Sequence, residues 1–268
     1  MSWGNWTYAS YDYAADARGF GWGFAGEWYQ DNWVLRFGRM SGPKEPNGLP
    51  VDFALGKHYG DQVEVERGHM LVGQPGKVRV LAWRNRAQVA SFNDATQWLQ
   101  NHPGVQTTPQ ALMDVRSGEK IKYGLGVNIE QAINPSVGFF LRAMKADGRT
   151  ETYAFTEADG SLSTGLLFKG GLWGRADDAV GVAFMHNTLS PERRGFLAAG
   201  GMSYFIGDAA SATQTLSYNP EQILEAFYSF QMTRGTWLTT DYQRIQNPAY
   251  NADRGPVNVY ALRFHAEF

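Results

Sequence analysis

The sequence predicts an all-β fold, an antiparallel transmembrane β-barrel. Three observations carry this: short and long connections alternate strictly, residues within segments alternate between apolar and polar, and aromatics gather near segment ends. The connections at residues 30–31, 73–76 (GQPG), 132–134, 174–177 and 233–235 are short. Those at 41–60, 90–118, 145–160, 187–220 and 246–255 are long. A soluble sandwich has no physical reason to sort its loops by end. A membrane barrel has one, because its turns on one side of the bilayer are short and its loops on the other are long.

About twelve strands are expected, with boundaries good to a few residues. Residues 2–13, SWGNWTYASYDY, already read as strand. Next, Trp33, Leu35 and Phe37 oppose Arg36. Val78, Val80 and Ala82 oppose Arg79, Leu81, Trp83 and Asn85, yet Arg84 and Arg86 then fall on the apolar face. Either that strand rises above the bilayer or a bulge switches its phase. Ile121, Tyr123, Leu125, Val127 and Ile129 oppose Lys120, Lys122, Asn128 and Glu130; Val137, Phe139, Leu141 and Ala143 oppose Arg142. Leu224, Ala226, Tyr228, Phe230 and Met232 oppose Glu225, Phe227, Ser229 and Gln231. In the last segment Tyr260, Leu262, Phe264, Ala266 and Phe268 oppose Arg263, His265 and Glu267. An Arg or Lys facing lipid at mid-depth costs ~2–4 kcal/mol, so charges near strand centres fix which face is inside.

Period-two alternation alone also describes a soluble sheet with one buried face. The aromatics separate the cases: Trp28, Trp33, Trp173, Trp237 and Phe268 sit near strand ends, where girdles meet the headgroups. A barrel of about twelve strands is also too wide to fill with side chains, so its interior is expected to be wet and polar. The final strand is entered from a long loop and therefore descends, leaving Phe268 at the periplasmic end and the first strand ascending.

Composition agrees. The 268 residues suit a single barrel domain; 31 glycines and 14% aromatics suit strands and turns. A net charge of -2 gives no footing for nucleic acid, and the absence of cysteine removes thiol nucleophiles and thiolate metal sites. No stretch approaches the ~18 apolar residues of a helical span, which a barrel does not need. Met1 is followed directly by strand-like sequence with no secretory signal, so either a signal has been removed or the chain is the C-terminal portion of something longer.

Several stretches resemble the carbohydrate-selective porin family of the OprB type: residues 74–95 (QPGKVRVLAWRNRAQVASFNDA), residues 177–201 (DDAVGVAFMHNTLSPERRGFLAAGG), and most specifically residues 238–268 (LTTDYQRIQNPAYNADRGPVNVYALRFHAEF). Residues 36–50 are more weakly similar. The resemblance implies a sixteen-stranded channel in the outer membrane of a Gram-negative bacterium, passing mono- or oligosaccharides and surrounded by outer-membrane lipid and lipopolysaccharide. It implies that Phe268, with Phe264 and Tyr260 on its face, is recognised by the barrel assembly machinery, and it leaves a homo-oligomer open. Family members carry an export signal and further strands ahead of the point where Met1 falls. The chain is therefore expected to lack the first strands and the signal peptide.

Selective diffusion needs no catalytic group or cofactor; it needs a constriction whose polar lining replaces part of the solute's hydration. By strand phase, the inward candidates near mid-membrane are Glu27, Arg36, Glu64, Arg79, Trp83, Lys122, Arg142, Asp241 and Arg263. Each is also explicable as a solvated lumen residue. The long loop at 92–118 offers an alternative constriction if residues 98–103 pack inside. Other patterns carry little. Ser190-Pro191-Glu192 reads as a helix start inside a loop. The glycines Gly19, Gly21 and Gly23 open a strand and form no phosphate-binding fingerprint. Five scattered histidines lack metal-ligand spacing. Asp177 and Asp178 are adjacent turn residues, unable to flank a sugar as glycosidase carboxylates do. His186 and Ser190 lack an evident orienting acid. A soluble carbohydrate-binding β protein and a non-functional porin fragment remain the competing readings.

Overall fold

The computed structural model describes residues 9–104, 109–153, 156–203, 206 and 216–267. Eleven strands form one antiparallel sheet in sequence order: β1 (Gly23–Gln30), β2 (Trp33–Ser41), β3 (Tyr59–Leu71), β4 (Gln74–Ala87), β5 (Lys120–Asn134), β6 (Val137–Ala146), β7 (Gly160–Lys169), β8 (Ala179–Thr188), β9 (Glu221–Thr233), β10 (Thr236–Gln246) and β11 (Val257–Ala266). Among the described residues β1 and β11 do not pair, so the sheet stays open.

Eleven strands are found among the described residues, against the about twelve expected. Residues 1–8 lie outside the described part, and Ala9–Tyr13 are not strand. Instead this segment crosses the inner face of the sheet. Ser10 Oγ donates to the Met144 carbonyl at 3.1 Å, Tyr11 donates to Gln62, and Asp12 lies 3.4 Å from Lys122 Nζ. The first described strand, β1, corresponds to the second expected strand and runs from the loop end toward the short turns, as an up-and-down order with an ascending first strand requires.

The alternation sorts the two faces as expected. In β5, Leu125 is 57% exposed while its neighbour but two, Lys122, is buried. Val63, Val65, Val80, Val182, Phe184 and Leu262 are likewise exposed on the outward face. Exposed apolar rows opposite a polar face are what a sheet wrapped around water and surrounded by hydrocarbon requires.

No register shift interrupts β3, β4 and β5 where Arg84 and Arg86 lie, so there is no phase switch. Both arginines stay on the outward face, within the last four residues of a 14-residue strand, at its loop end. The shifts that do occur, at Ala132/Asn134 and Thr236/Trp237, flank short turns. The GQPG turn moves back slightly: Val72 (φ 52°) and Gly73 (φ 73°) form it, and Gln74 and Pro75 already belong to β4. Two central residues with positive φ match the twist of the flanking strands.

The girdle holds for Trp28, Trp33 and Trp173, which are exposed toward the short-turn end. Trp237 differs. It shares its face with Thr239 and Asp241 and packs against His265 at 5.6 Å, so it points to the interior. Phe268 lies outside the described residues.

Among the described residues three α-helices emerge from the long loops: α1 (Phe92–Asn101), α2 (Gln110–Val115) and α3 (Pro191–Ala198). Ser190 caps α3 by accepting from Arg193 N–H, with Pro191 at the first turn, as the sequence predicts. Phe92, Ala95, Leu112, Phe196, Leu197 and Tyr250 form a fully buried apolar core among them, and Trp98 packs against it. The described parts of the loop at 92–118 thus share one apolar core with α3 and with Tyr250 of the loop before β11.

Candidate functional site

Inward-facing positions on β1 to β5 carry charges whose signs alternate across the strands. Register places Glu27 opposite Arg36, Arg36 opposite Glu64, Glu66 opposite Arg79, and Lys77 opposite Glu130. Opposite charges directly across an antiparallel pair attract, and like charges there repel, so this order stabilises the pairing. The contacts are continuous. Arg36 Nε meets Glu27 Oε1 at 3.0 Å, and Arg36 Nη1 meets Glu64 Oε1 at 2.9 Å and Glu66 Oε2 at 3.0 Å. Glu66 also receives Arg79 Nε at 2.6 Å and Lys77 Nζ at 3.2 Å, and Arg79 Nη1 reaches Glu130 Oε1 at 2.7 Å.

Glu66 is the centre of this ladder. Its side chain is only 6% exposed, and three cations converge on it, which is what offsets the cost of withdrawing a carboxylate from water. The outer members are open: Glu27, Lys77 and Glu130 are each about half exposed on the lumen side. Arg142 on β6 continues the strip, opposite Asn128 and with its guanidinium 4.7 Å from the Phe140 ring. Beside it Lys77, Glu130, Phe140, Arg142 and Leu167 line a hollow of about 450 Å³. The hollow offers cationic donors, an anionic acceptor and an apolar wall together.

The remaining predicted residues stand elsewhere. Trp83 and Lys122 face inward, but at the loop end and beneath residues 9–16. The Tyr11 ring packs edge-on against Trp83 at 5.6 Å, and Trp83 Nε1 points to the Met144 sulfur at 3.4 Å. Lys122 and Asp12 pair with both side chains almost fully buried. Burial pushes the Asp12 carboxyl above its ordinary range; Lys122 and the Tyr153 backbone N–H, 2.8 Å away, oppose that push. Asp241 faces inward on β10, accepting from Gln243 at 3.0 Å and lying on the same face as the fully buried Glu225 of β9. Arg263 lies opposite Thr239 on the exposed strand β11. These two are separated from the ladder by β7 to β9, of which β7 and β8 carry small inward residues such as Ser163, Gly165 and Ala183. The structure therefore brings Glu27, Arg36 and Glu64 into contact, links Arg79 to them through Glu66, and sets Arg142 beside them.

Glu66, Lys77 and Glu130 were missed among the candidates. A signal existed: each sits an even number of residues from a chosen or polar-face position, namely Glu64, Arg79 and Lys122. What alternation does not reveal is the cross-strand register that makes Glu66 the hub.

With this geometry in place, comparison with known proteins is informative. The sequence model of the carbohydrate-selective porin, OprB family, matches residues 2–268. Among solved structures, the high-pH structure of Pseudomonas putida OprB superposes with a TM-score of 0.70 at 16% identity, over 92% of this chain and 59% of that one. At that identity the likeness shows the fold alone, and the chain spans 59% of that porin's length. The P. putida toluene transporter TodX gives a TM-score of 0.33 at 10% identity, over 87% of this chain and 69% of that one, too low to carry an argument. No curated protein sequence matches the chain.

Proposed function

The chain belongs to the carbohydrate-selective porin, OprB family, and from that premise we propose that it supplies a wall of an outer-membrane channel for passive, selective diffusion of mono- or oligosaccharides. The observation that carries this reading is the unbroken chain of ion pairs from Glu27 through Arg36, Glu66 and Arg79 to Glu130. Each charge is held by a partner, so the wall offers donors and acceptors at fixed positions without reorganising as a solute passes. Sugar hydroxyls both donate and accept, and match such a mixed lining. A monovalent ion meets attraction and repulsion on adjacent strands and gains little. The hollow beside Phe140 and Arg142 adds an apolar patch for a sugar-ring face.

Loop-side to turn-side orientation in a Gram-negative outer membrane follows from the general arrangement of bacterial barrels, with short turns in the periplasm. Within the same proposal, exposed Tyr260 and Phe264 on β11 present the aromatic face read by the barrel assembly machinery.

Liposome swelling tests the function. With the protein reconstituted, glucose should enter faster than a charged solute of equal size, and equal rates would remove selectivity. Substituting Arg36 or Arg142 with alanine should raise ion conductance or loosen sugar preference. No change in either would take that residue out of the lining.

A further inference from the structure

The outward face holds a second feature that sugar diffusion does not use. Register aligns Phe24, Arg39, Asp61, Arg84 and Tyr123 in one row across β1 to β5, and Phe37, Val63, Ala82 and Leu125 in the row below. Aromatic and branched side chains stand at both sides of these rows, while the small Ala82 and Val63 form the floor. The result is a groove of about 740 Å³ on the membrane-facing surface, running down from a charged head.

That head is unusual for a lipid-facing surface. Arg39 donates to Asp61 at 2.6 and 2.8 Å, Arg84 Nε donates to the same carboxylate at 2.9 Å, and both guanidiniums lie over the Tyr59 ring at 4.0 and 5.7 Å. Two cations thus share one carboxylate, leaving one unit of positive charge. Asp61 and Tyr59 fix both planar forks, and Arg84 remains about half exposed. Arg39 is two residues from the end of β2 and Arg84 three from the end of β4, both at the long-loop end. At about 3.3 Å per residue this places the forks near the headgroups, above the acyl region.

We propose that this groove binds the phosphorylated, acylated lipid of the loop-side leaflet, lipopolysaccharide, with one acyl chain over Val63 and Ala82 and a phosphate on Arg39 and Arg84. Paired arginines match phosphate oxygens, and the excess positive charge calls for an anion. An ordinary phospholipid shares the phosphate and the acyl chain. The leaflet selects between them, because the groove's head lies on the loop side. That choice rests on the proposed outer-membrane orientation, whereas the groove itself does not.

Native mass spectrometry of the detergent-purified protein tests it, with purified lipid A, dephosphorylated lipid A and phosphatidylglycerol as probes. Lipid A should be retained, the dephosphorylated form should not, and phosphatidylglycerol should bind more weakly. The Arg39→Gln/Arg84→Gln variant should lose about tenfold or more in lipid A affinity, as expected for removing hydrogen bonds to a charged group. Ala82→Trp fills the floor while keeping both arginines, and it should also displace the lipid, which guards against a folding failure of the charge variant. Undiminished retention by both variants overturns the site, and equal binding of phosphatidylglycerol overturns the assignment to lipopolysaccharide. Sugar-dependent swelling should stay unchanged in these variants, so loss of the lipid site and failure of the porin reading give different results.

Discussion

Two parts of the inner face use the same residue types to opposite ends. In the turn-side half of the sheet, Glu27, Arg36, Lys77 and Glu130 are paired yet open to the lumen, and only Glu66 at their centre is withdrawn from it. At the loop end, Lys122 is also paired, but with Asp12 of a crossing segment that buries both partners together with Trp83. Paired charge is therefore no guide to what a solute meets. What decides is whether the partner comes from the next strand, leaving the face clear, or from a segment laid over it.

Breaking each arrangement should give distinct signatures. The largest effect is expected for Glu66→Ala, which leaves three cations around a vacated, nearly buried position. Removing one member of a buried pair costs ~3–5 kcal/mol, so the urea midpoint should fall sharply and reversal potentials should shift toward anion preference. An unshifted midpoint would deny Glu66 its central place. Asp12→Asn comes next. It leaves the Lys122 ammonium without its carboxylate, a loss of ~1–3 kcal/mol or somewhat more for a charged group. Its particular mark should be faster hydrogen exchange across residues 10–16 with larger conductance, because the covering segment loosens. Slow exchange in the variant would show that the pair does not hold the segment.

The turn end supplies a control away from the lumen. Asp178 accepts from Arg175 Nε at 2.5 Å, from Tyr228, and from the Gln231 backbone N–H at 2.9 Å. The Arg175 hydrogen bond leads in holding its carboxyl down to about 2. Because the folded value lies below the unfolded one of ~3.9, this stabilisation is complete above that value and is lost as pH falls toward about 2. Asp178→Asn should flatten that acid limb while leaving conductance at neutral pH unaltered; an unchanged limb would count against the pairing. The smallest effect is expected at Glu27, about half exposed at the ladder's end. Glu27→Gln should change stability by less than ~1 kcal/mol, as exposed pairs do, yet measurably alter ion selectivity. A large stability loss would mean that the open and buried pairs do not differ in the way described.

Much of this was legible from alternation because charge makes the face of a strand unambiguous. Arg36, Arg79 and Arg142 each mark the inside of their strands, and the structure keeps them there. The sorting of loops by length gave the topology for the same reason: a strand must end where its turn begins. Three things were hidden. The burial of Trp83 and Lys122 depends on a segment more than seventy residues away, where the alternation of Tyr11 and Tyr13 with Asp12 mimics a strand. Trp237 looked like girdle from its position near a strand end, but its parity with Thr239 and Asp241 turns it inward. The role of Glu66 needed the register between β2, β3 and β4, which no single strand encodes. The helix α1 had a local signal in Ser91, whose side chain accepts from Asp94 N–H, and in the spacing of Phe92, Ala95 and Leu99, overshadowed by the strand rhythm around it.

The central claim, that one face of this sheet meets water and the other meets hydrocarbon, is open to a direct measurement because the chain has no cysteine. Single cysteines placed at Glu64, Arg79, Val63 and Val80, in the protein held in its membrane, can be challenged with a membrane-impermeant thiol reagent. The account predicts rapid labelling at Glu64→Cys and Arg79→Cys and protection at Val63→Cys and Val80→Cys. Labelling of the two valine positions with protection of the two charged ones would contradict it.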